Sequence, residues 1–173
     1  MSVEELKKSI RDIPDFPQKG VIFKDITPLI NDKNLFREAV DLLAGPMAAE
    51  PPDCIVCIEA RGFIFGAALA YKLGTGLVPV RKEGKLPHRT KKVSFELEYG
   101  SATVEIHEDA VLPGSRVWIV DDLLATGGTL EAAVKLVEGS GGKVAGISVL
   151  IELDFLKGRE KIKGYPFSTL IHF

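Results

Sequence analysis

The stretch Arg116-Val117-Trp118-Ile119-Val120-Asp121-Asp122-Leu123-Leu124-Ala125-Thr126-Gly127-Gly128-Thr129 decides how the chain folds. Residues 117–120 form a short continuous apolar run, which suits a strand buried on both faces of a parallel sheet. Residues 129–138 read as a helix, with Leu130, Ala133, Val134 and Val137 on one buried face. Strand, tight Gly127-Gly128 turn and helix therefore follow in series. Glycines let the backbone approach a ligand closely, and helix N-terminal N–H groups favour an anion. Thr126 and Thr129 add hydroxyl donors, beside the backbone of Ala125. Asp121 and Asp122 end the strand, where open α/β sheets bind ligands. Carboxylates repel a phosphate unless something lies between them. A ribose meets this constraint, with its 5-phosphate on the loop and its hydroxyls on the acids. Magnesium, held by Asp121 and Asp122 through the ribose or water, would reduce the remaining repulsion. The bland alternative is an acid pair that caps a helix and a Gly-Gly that only turns. A P-loop is excluded because Thr129, not Lys, follows Gly128, and the G-x-G-x-x-G dinucleotide pattern is absent.

The 173 residues are enough for one domain with a proper core, and 46% hydrophobic with 27% charged residues is ordinary globular usage. A net charge of -2 argues against a general nucleic-acid binder. No apolar run approaches membrane-spanning length, and residues 1–11 are charged and helical rather than signal-like, so no membrane role and a cytoplasmic location are expected. Cys54 and Cys57 form a C-x-x-C inside the apolar run 54–58. Residues three apart on a strand point to opposite faces, so both are read as core thiols. His88, His107 and His172 show no metal-ligand spacing.

Outward from the central stretch, residues 4–11 read as a helix with Ser2 as N-cap. Residues 13–28 carry three prolines and a glycine, which exclude a long regular element. Phe16, Val21, Ile22, Phe23 and Ile26 make this loop apolar, and composition leaves open whether it covers the core or lines a pocket for a flat ligand. Residues 34–49 form an amphipathic helix with Leu35, Ala39, Leu42 and Leu43 inward. Residues 54–58 are a second buried strand, followed by Glu59-Ala60-Arg61-Gly62 and a helix through Tyr71. Arg61 puts a permanent cation at a strand's carboxyl end, either for a second anion such as pyrophosphate or for a surface ion pair. A strand at 76–80 leads to Arg81 and to the basic stretch 82–92, which contains Lys85 and has no apolar periodicity. It reads as a solvated loop or a flexible lid. Residues 93–98 and 102–106 alternate like a hairpin with one exposed face. Residues 144–151 are another buried strand, 153–161 a short charged helix containing Gly158, and 166–173 an edge strand. Strand–helix units in series give the α/β class: a parallel central sheet flanked by helices.

The run Val120-Asp121-Asp122-Leu123-Leu124-Ala125-Thr126-Gly127-Gly128-Thr129 resembles the phosphoribosyl-pyrophosphate signature of the type I phosphoribosyltransferases, and its Leu-Leu-Ala version that of the adenine phosphoribosyltransferases. Other segments between about residues 13 and 161 carry the same resemblance. Residues 16–28 resemble the family's adenine-binding hood, which implies that backbone groups near Ile22 and Lys24 read the base edge and Phe23 stacks on it. Residues 59–66 resemble the pyrophosphate loop, with Arg61 as its cation. Residues 81–87 and 97–100 resemble the ends of the catalytic lid, and 156–160 the family's C-terminal stretch. Departures are mild: Lys24 stands where many relatives carry Arg, and Glu59-Ala60 where some carry Asp-Ser. The resemblance implies a single phosphoribosyltransferase domain over 1–173, with a hood at about 1–34 and a hairpin lid at about 82–98. It implies transfer of the 5-phosphoribosyl group from 5-phosphoribosyl 1-pyrophosphate to adenine, giving AMP and pyrophosphate, with Mg2+. It further implies a homodimer with Arg81 at the interface, and a base contact for Glu98. A transferase for another purine and a non-catalytic sensor of the donor are the competing readings.

Overall fold

A computed structural model describes residues 2–97 and 100–173. The chain divides into two compact units, Met1–Leu42 and Leu43–Phe173. In the first, helix α1 (Val3–Ser9) starts where the Glu5 carboxylate accepts the Ser2 N–H at 2.8 Å. The expected helix to Arg11 stops early because strand β1 (Arg11–Pro14) pairs antiparallel with β2 (Ile22–Asp25). The apolar loop thus holds a short two-stranded ladder that its prolines had concealed. Opposite charges meet across it, with Lys24 Nζ 2.7 Å from Asp12 Oδ1. Helix α2 (Thr27–Asn31) is capped by Asp25, whose Oδ1 accepts the Thr27 N–H at 2.9 Å. Helix α3 (Lys33–Ala48) follows. Its buried stripe is Ala39, Val40, Leu43, Ala44 and Met47, whereas Leu35 and Leu42 are only half-buried, so the inward face is rotated from the expected one.

The second unit is built on strands β3 (Cys54–Ile58), β4 (Gly76–Lys82), β5 (Thr90–Glu96), β6 (Ser101–His107), β7 (Arg116–Leu124), β8 (Lys143–Glu152) and β9 (Phe167–His172). They form one sheet in the order β5-β6-β4-β3-β7-β8-β9. From β4 to β9 the pairings are parallel, and the β5–β6 hairpin extends the sheet antiparallel. All of β3 is buried, as continuous apolar runs between two helical layers should be. Helix α4 (Gly62–Leu73) and helix α5 (Gly128–Gly139) pack on the sheet. Cys54, Val56 and Ile58 share a core with Leu130, Val134 and Val137 of α5. Cys57 faces α4, where a Cβ on Gly66 would stand 2.5 Å from its own. The two thiols are therefore on opposite faces, buried and free, and burial pushes that of Cys57 up to about 12.

Two expectations change. Residues 153–161 are not one helix but two 3₁₀ turns, Asp154–Leu156 and Gly158–Ile162, separated by Lys157 at φ 51°. The basic stretch 82–92 is not bare loop: residues 90–92 belong to β5, and the preceding turn is tied to Glu105. Glu105 sits on β6 opposite Arg81 and Lys92 and is 1% exposed, not on a solvated hairpin face. Its carboxylate accepts the N–H groups of Lys85 (3.1 Å) and Leu86 (3.0 Å) and the Thr90 hydroxyl (3.2 Å). Burial raises its pKa, but these hydrogen bonds outweigh burial and hold it below the usual carboxylate range.

Glu105→Ala should therefore cost about 1.5–3 kcal/mol of stability, because partly buried N–H groups lose a charged acceptor. Glu105→Gln should cost less. Urea denaturation of the three proteins measures this, and an unchanged midpoint in Glu105→Ala would show that water replaces the carboxylate.

Candidate active site

The acid pair does not end strand β7, which runs two residues further to Leu124, paired with β8, before the chain turns through Ala125 and Thr126 into Gly127, at φ 85°. That left-handed conformation is strained for a residue with a Cβ, so glycine is needed where the loop reverses into α5. The first N–H groups of α5 open beside the acids. Asp121, Asp122, Ala125, Thr126, Gly127 and Thr129 line one cavity of about 350 Å³, together with Glu59 and Arg61 from the end of β3. Gly128 does not line it. It is buried under the hairpin, where a Cβ would stand 2.9 Å from Phe95 Cδ2.

The acid pair is buried, with Asp121 9% and Asp122 5% exposed. Burial, then the neighbouring Asp122 charge, pushes Asp121 well above the usual carboxylate range. Burial also raises Asp122, against the pull of Arg61. Asp121 Oδ1 accepts the Asp122 N–H at 2.8 Å. Arg61 Nε lies 2.8 Å from Asp122 Oδ2, off the hydrogen-bond axis, and that buried oxygen accepts no hydrogen bond among the described residues. Two carboxylates facing one guanidinium leave an oxygen-rich mouth. Such a donor set fits ribose hydroxyls, or a hard cation that keeps part of its water shell.

A second cavity of about 280 Å³ adjoins the first and shares Ile58, Glu59 and Thr129 with it. Arg81 lines it, and Glu59 holds Arg81 there through Nε at 3.1 Å and Nη2 at 3.4 Å. Glu59 also accepts the Lys82 N–H at 3.1 Å. Burial works against ionisation of Glu59, yet Arg81 and the Lys82 N–H lower its pKa overall. The Lys85 carbonyl accepts from Arg81 Nη1 at 3.2 Å, so Lys85 belongs to the same network. Ile22, Phe23 and Lys24 stand together on β2 of the first unit, with the Phe16 and Phe23 rings edge to face at 5.1 Å. Glu98 lies outside the described residues.

Sequence reasoning passed over Glu59 and Glu105. The signal for Glu59 was available: parallel pairing of Ile58 with Val80 puts Glu59 beside Arg81. Glu105 gave no such sign, since its partners arrive from a loop about twenty residues away.

The phosphoribosyl transferase domain family matches residues 30–172. The adenine phosphoribosyltransferase of Thermotoga neapolitana is 55% identical over 167 residues, 96% of this chain and 98% of its own. The crystal structure of that from Thermoanaerobacter pseudethanolicus is 56% identical, with TM-score 0.97 over 99% of this chain and 100% of its own. The Saccharomyces cerevisiae enzyme, solved with an imino-altritol bisphosphate and adenine, is 43% identical, with TM-score 0.91 over 97% of each chain. With a parallel sheet whose strand β7 carries a buried acid pair shortly before a glycine-capped helix, and with relatives this similar over full length, the chain belongs to the adenine phosphoribosyltransferases of the phosphoribosyl transferase family.

Proposed function

We propose that this protein transfers the 5-phosphoribosyl group of 5-phosphoribosyl 1-pyrophosphate to adenine, giving AMP and pyrophosphate, as a purine salvage enzyme. The observation that carries this reading is the shared cavity of Asp121, Asp122, Arg61 and the 125–129 loop. In it the N–H groups at the start of α5 take the 5-phosphate, the acids accept from the ribose hydroxyls, and Arg61 meets the pyrophosphate. Arg81 and Lys85 supply further cations. The adenine ring nitrogen attacks the anomeric carbon as the bond to pyrophosphate breaks, and the ring gives up its proton. Positive charge develops on the ribose and negative charge on the leaving group, so fixed cations lower the barrier. Magnesium, reached by Asp121 and Asp122 through ribose or water, would neutralise pyrophosphate charge. Ile22, Phe23 and Lys24 are assigned to the base, and the hairpin to a lid that excludes water.

Assembly as a homodimer belongs to the same reading. Phe63, Ala67 and Tyr71 succeed one another on one side of α4, and Tyr71 is 93% exposed. Ala67 is exposed as well and Phe63 half-buried, and a partly exposed apolar stripe of this kind suits a second copy of the chain. Sedimentation as a monomer at micromolar concentration would remove this part. Two buried free thiols fit a reducing compartment, and the cytoplasm is assigned on that basis.

Turnover with adenine, guanine, hypoxanthine and xanthine, each with donor and magnesium, tests the function. Adenine should be preferred, and no turnover with any base would leave a donor sensor instead. In the same assay Glu98→Ala should lose roughly a hundredfold if Glu98 accepts the base proton. Near-normal turnover would take Glu98 out of the site, whereas activity kept by Glu98→Gln alone would make it an orienting group.

Calorimetry tests the donor subsites. Asp122→Asn should weaken donor binding by about 1.5–3 kcal/mol through loss of a charged acceptor. Arg61→Ala should weaken pyrophosphate more than AMP, and an equal loss would place Arg61 on the 5-phosphate or in the scaffold.

A further inference from the structure

The backbone of the second 3₁₀ turn lies directly against the 125–127 loop. A Cβ on Gly158 would overlap the Ala125 carbonyl oxygen, and would stand 2.8 Å from Leu124 Cδ1 and 3.0 Å from the Gly127 nitrogen. The converse holds as well: a Cβ on Gly127 would overlap the Gly158 carbonyl oxygen and come within 3.2 Å of Lys161 Cβ. Two glycines therefore face each other, each needing the other to have no side chain. One is the N-cap of the anion-binding helix, and the other belongs to a segment that lines neither cavity described above.

That segment is held from elsewhere. The Leu153 N–H donates to the Leu124 carbonyl at 3.0 Å, and the Asp154 N–H to the Phe173 carbonyl at 2.9 Å. Arg159 pairs with Glu152 through two nitrogens, and its guanidinium lies 4.5 Å over the Phe167 ring. Ile162 is 1% exposed in the main core cluster. Lys157, at φ 51°, adopts a left-handed conformation uncommon for a residue with a side chain. Such a conformation persists where its surroundings over-determine it. The turn is thus a fixed surface, and the loop rests on it.

We propose that Gly158 is a positioning residue for phosphate binding: it sets, from behind, the place of the 125–127 backbone whose N–H groups meet the 5-phosphate of the ribose substrate. This rests on the reading that the loop holds that phosphate. Gly158 touches no substrate and acts through Ala125 and Gly127. An added methyl group must push the loop toward the cavity or away from the turn, and either shift misaligns the donors for the phosphate. Pyrophosphate, assigned to Arg61 at the N-cap of α4, is left alone.

The test is calorimetric titration of ribose 5-phosphate and of pyrophosphate with magnesium, with steady-state kinetics alongside. Gly158→Ala should weaken ribose 5-phosphate roughly tenfold or more and raise the donor KM by a similar factor, while pyrophosphate affinity and adenine KM stay within about twofold. Mere structural damage would weaken both ligands alike, and that result overturns the proposal. So does unchanged ribose 5-phosphate affinity. If Gly158→Ala does not fold, Ile162→Ala decides, because it loosens the same turn without adding an atom. Selective weakening of ribose 5-phosphate by roughly threefold or more is expected there, and equal or absent loss is fatal. Thr126→Asp separates this proposal from the reading beneath it, since a carboxylate in the loop should abolish ribose 5-phosphate binding. Binding that survives Thr126→Asp removes both, whereas loss there with Gly158→Ala unchanged removes only the positioning role.

Discussion

Like charges crowded at the end of β7 set the terms for the rest of the second unit. Asp121 and Asp122 are adjacent and buried, and on the proposed function a phosphate would bind a few residues further on. Unit charges about 4 Å apart interact by roughly 4 kcal/mol at the screening typical of a protein surface. Neither acid could stay ionised there without help. Arg61 supplies part of it from the N-cap of α4, just past the neighbouring strand β3, and the α5 N–H groups offer the opposite sign just beyond. The parallel sheet makes this possible by bringing the carboxyl ends of β3, β4 and β7 to one side. Each of those ends carries a charged residue used at the site: Arg61, Arg81 and the acid pair. The apolar runs bury themselves and thereby carry the charges to one place.

How much of this could be read from the chain follows the range of the interactions. The strands at 54–58, 117–120 and 144–151 were legible because a continuous apolar run is a local signal. The acid-pair and glycine loop was legible because its acids, hydroxyls and glycines lie within nine consecutive residues, 121–129. Glu105 was not, since its role exists only once β6 lies beside β4 and β5. Gly158 was read as a glycine inside a short helix, and nothing near it in sequence shows that its neighbour is Gly127. The β1–β2 ladder was hidden for another reason. Pro14 and Pro17 flag irregular chain, and four-residue edge strands are too short for alternation to outweigh them.

Carboxylates also do much of the internal fastening. Glu59 clamps Arg81, Glu105 gathers the turn after β4, and Glu152 fixes Arg159 near the far edge of the sheet. In each case a partly or fully buried acid is satisfied by donors from a different element, the condition under which burying one is tolerable. Arg61 and Arg81 are therefore held by their own counter-ions, Asp122 and Glu59, with which a polyanion bound as proposed would have to compete.

The way the hairpin joins the sheet has a mechanical consequence. Strands β5 and β6 are zipped together along seven residue pairs, Thr90↔His107 to Glu96↔Ser101. Against β4, β6 pairs through Arg81↔Glu105 and Lys82↔Val104 among the described residues, extended by the Glu83 N–H on the Thr103 carbonyl. A long, regular hairpin is thus joined to the sheet by a short seam, and that seam carries Arg81 and the buried Glu105. The hairpin is seated on the core as well, since Val104 and Ile106 of β6 are buried in it and Val93 and Phe95 of β5 pack against it, so any tilt would have to expose those side chains while the parallel strands beneath keep every rung.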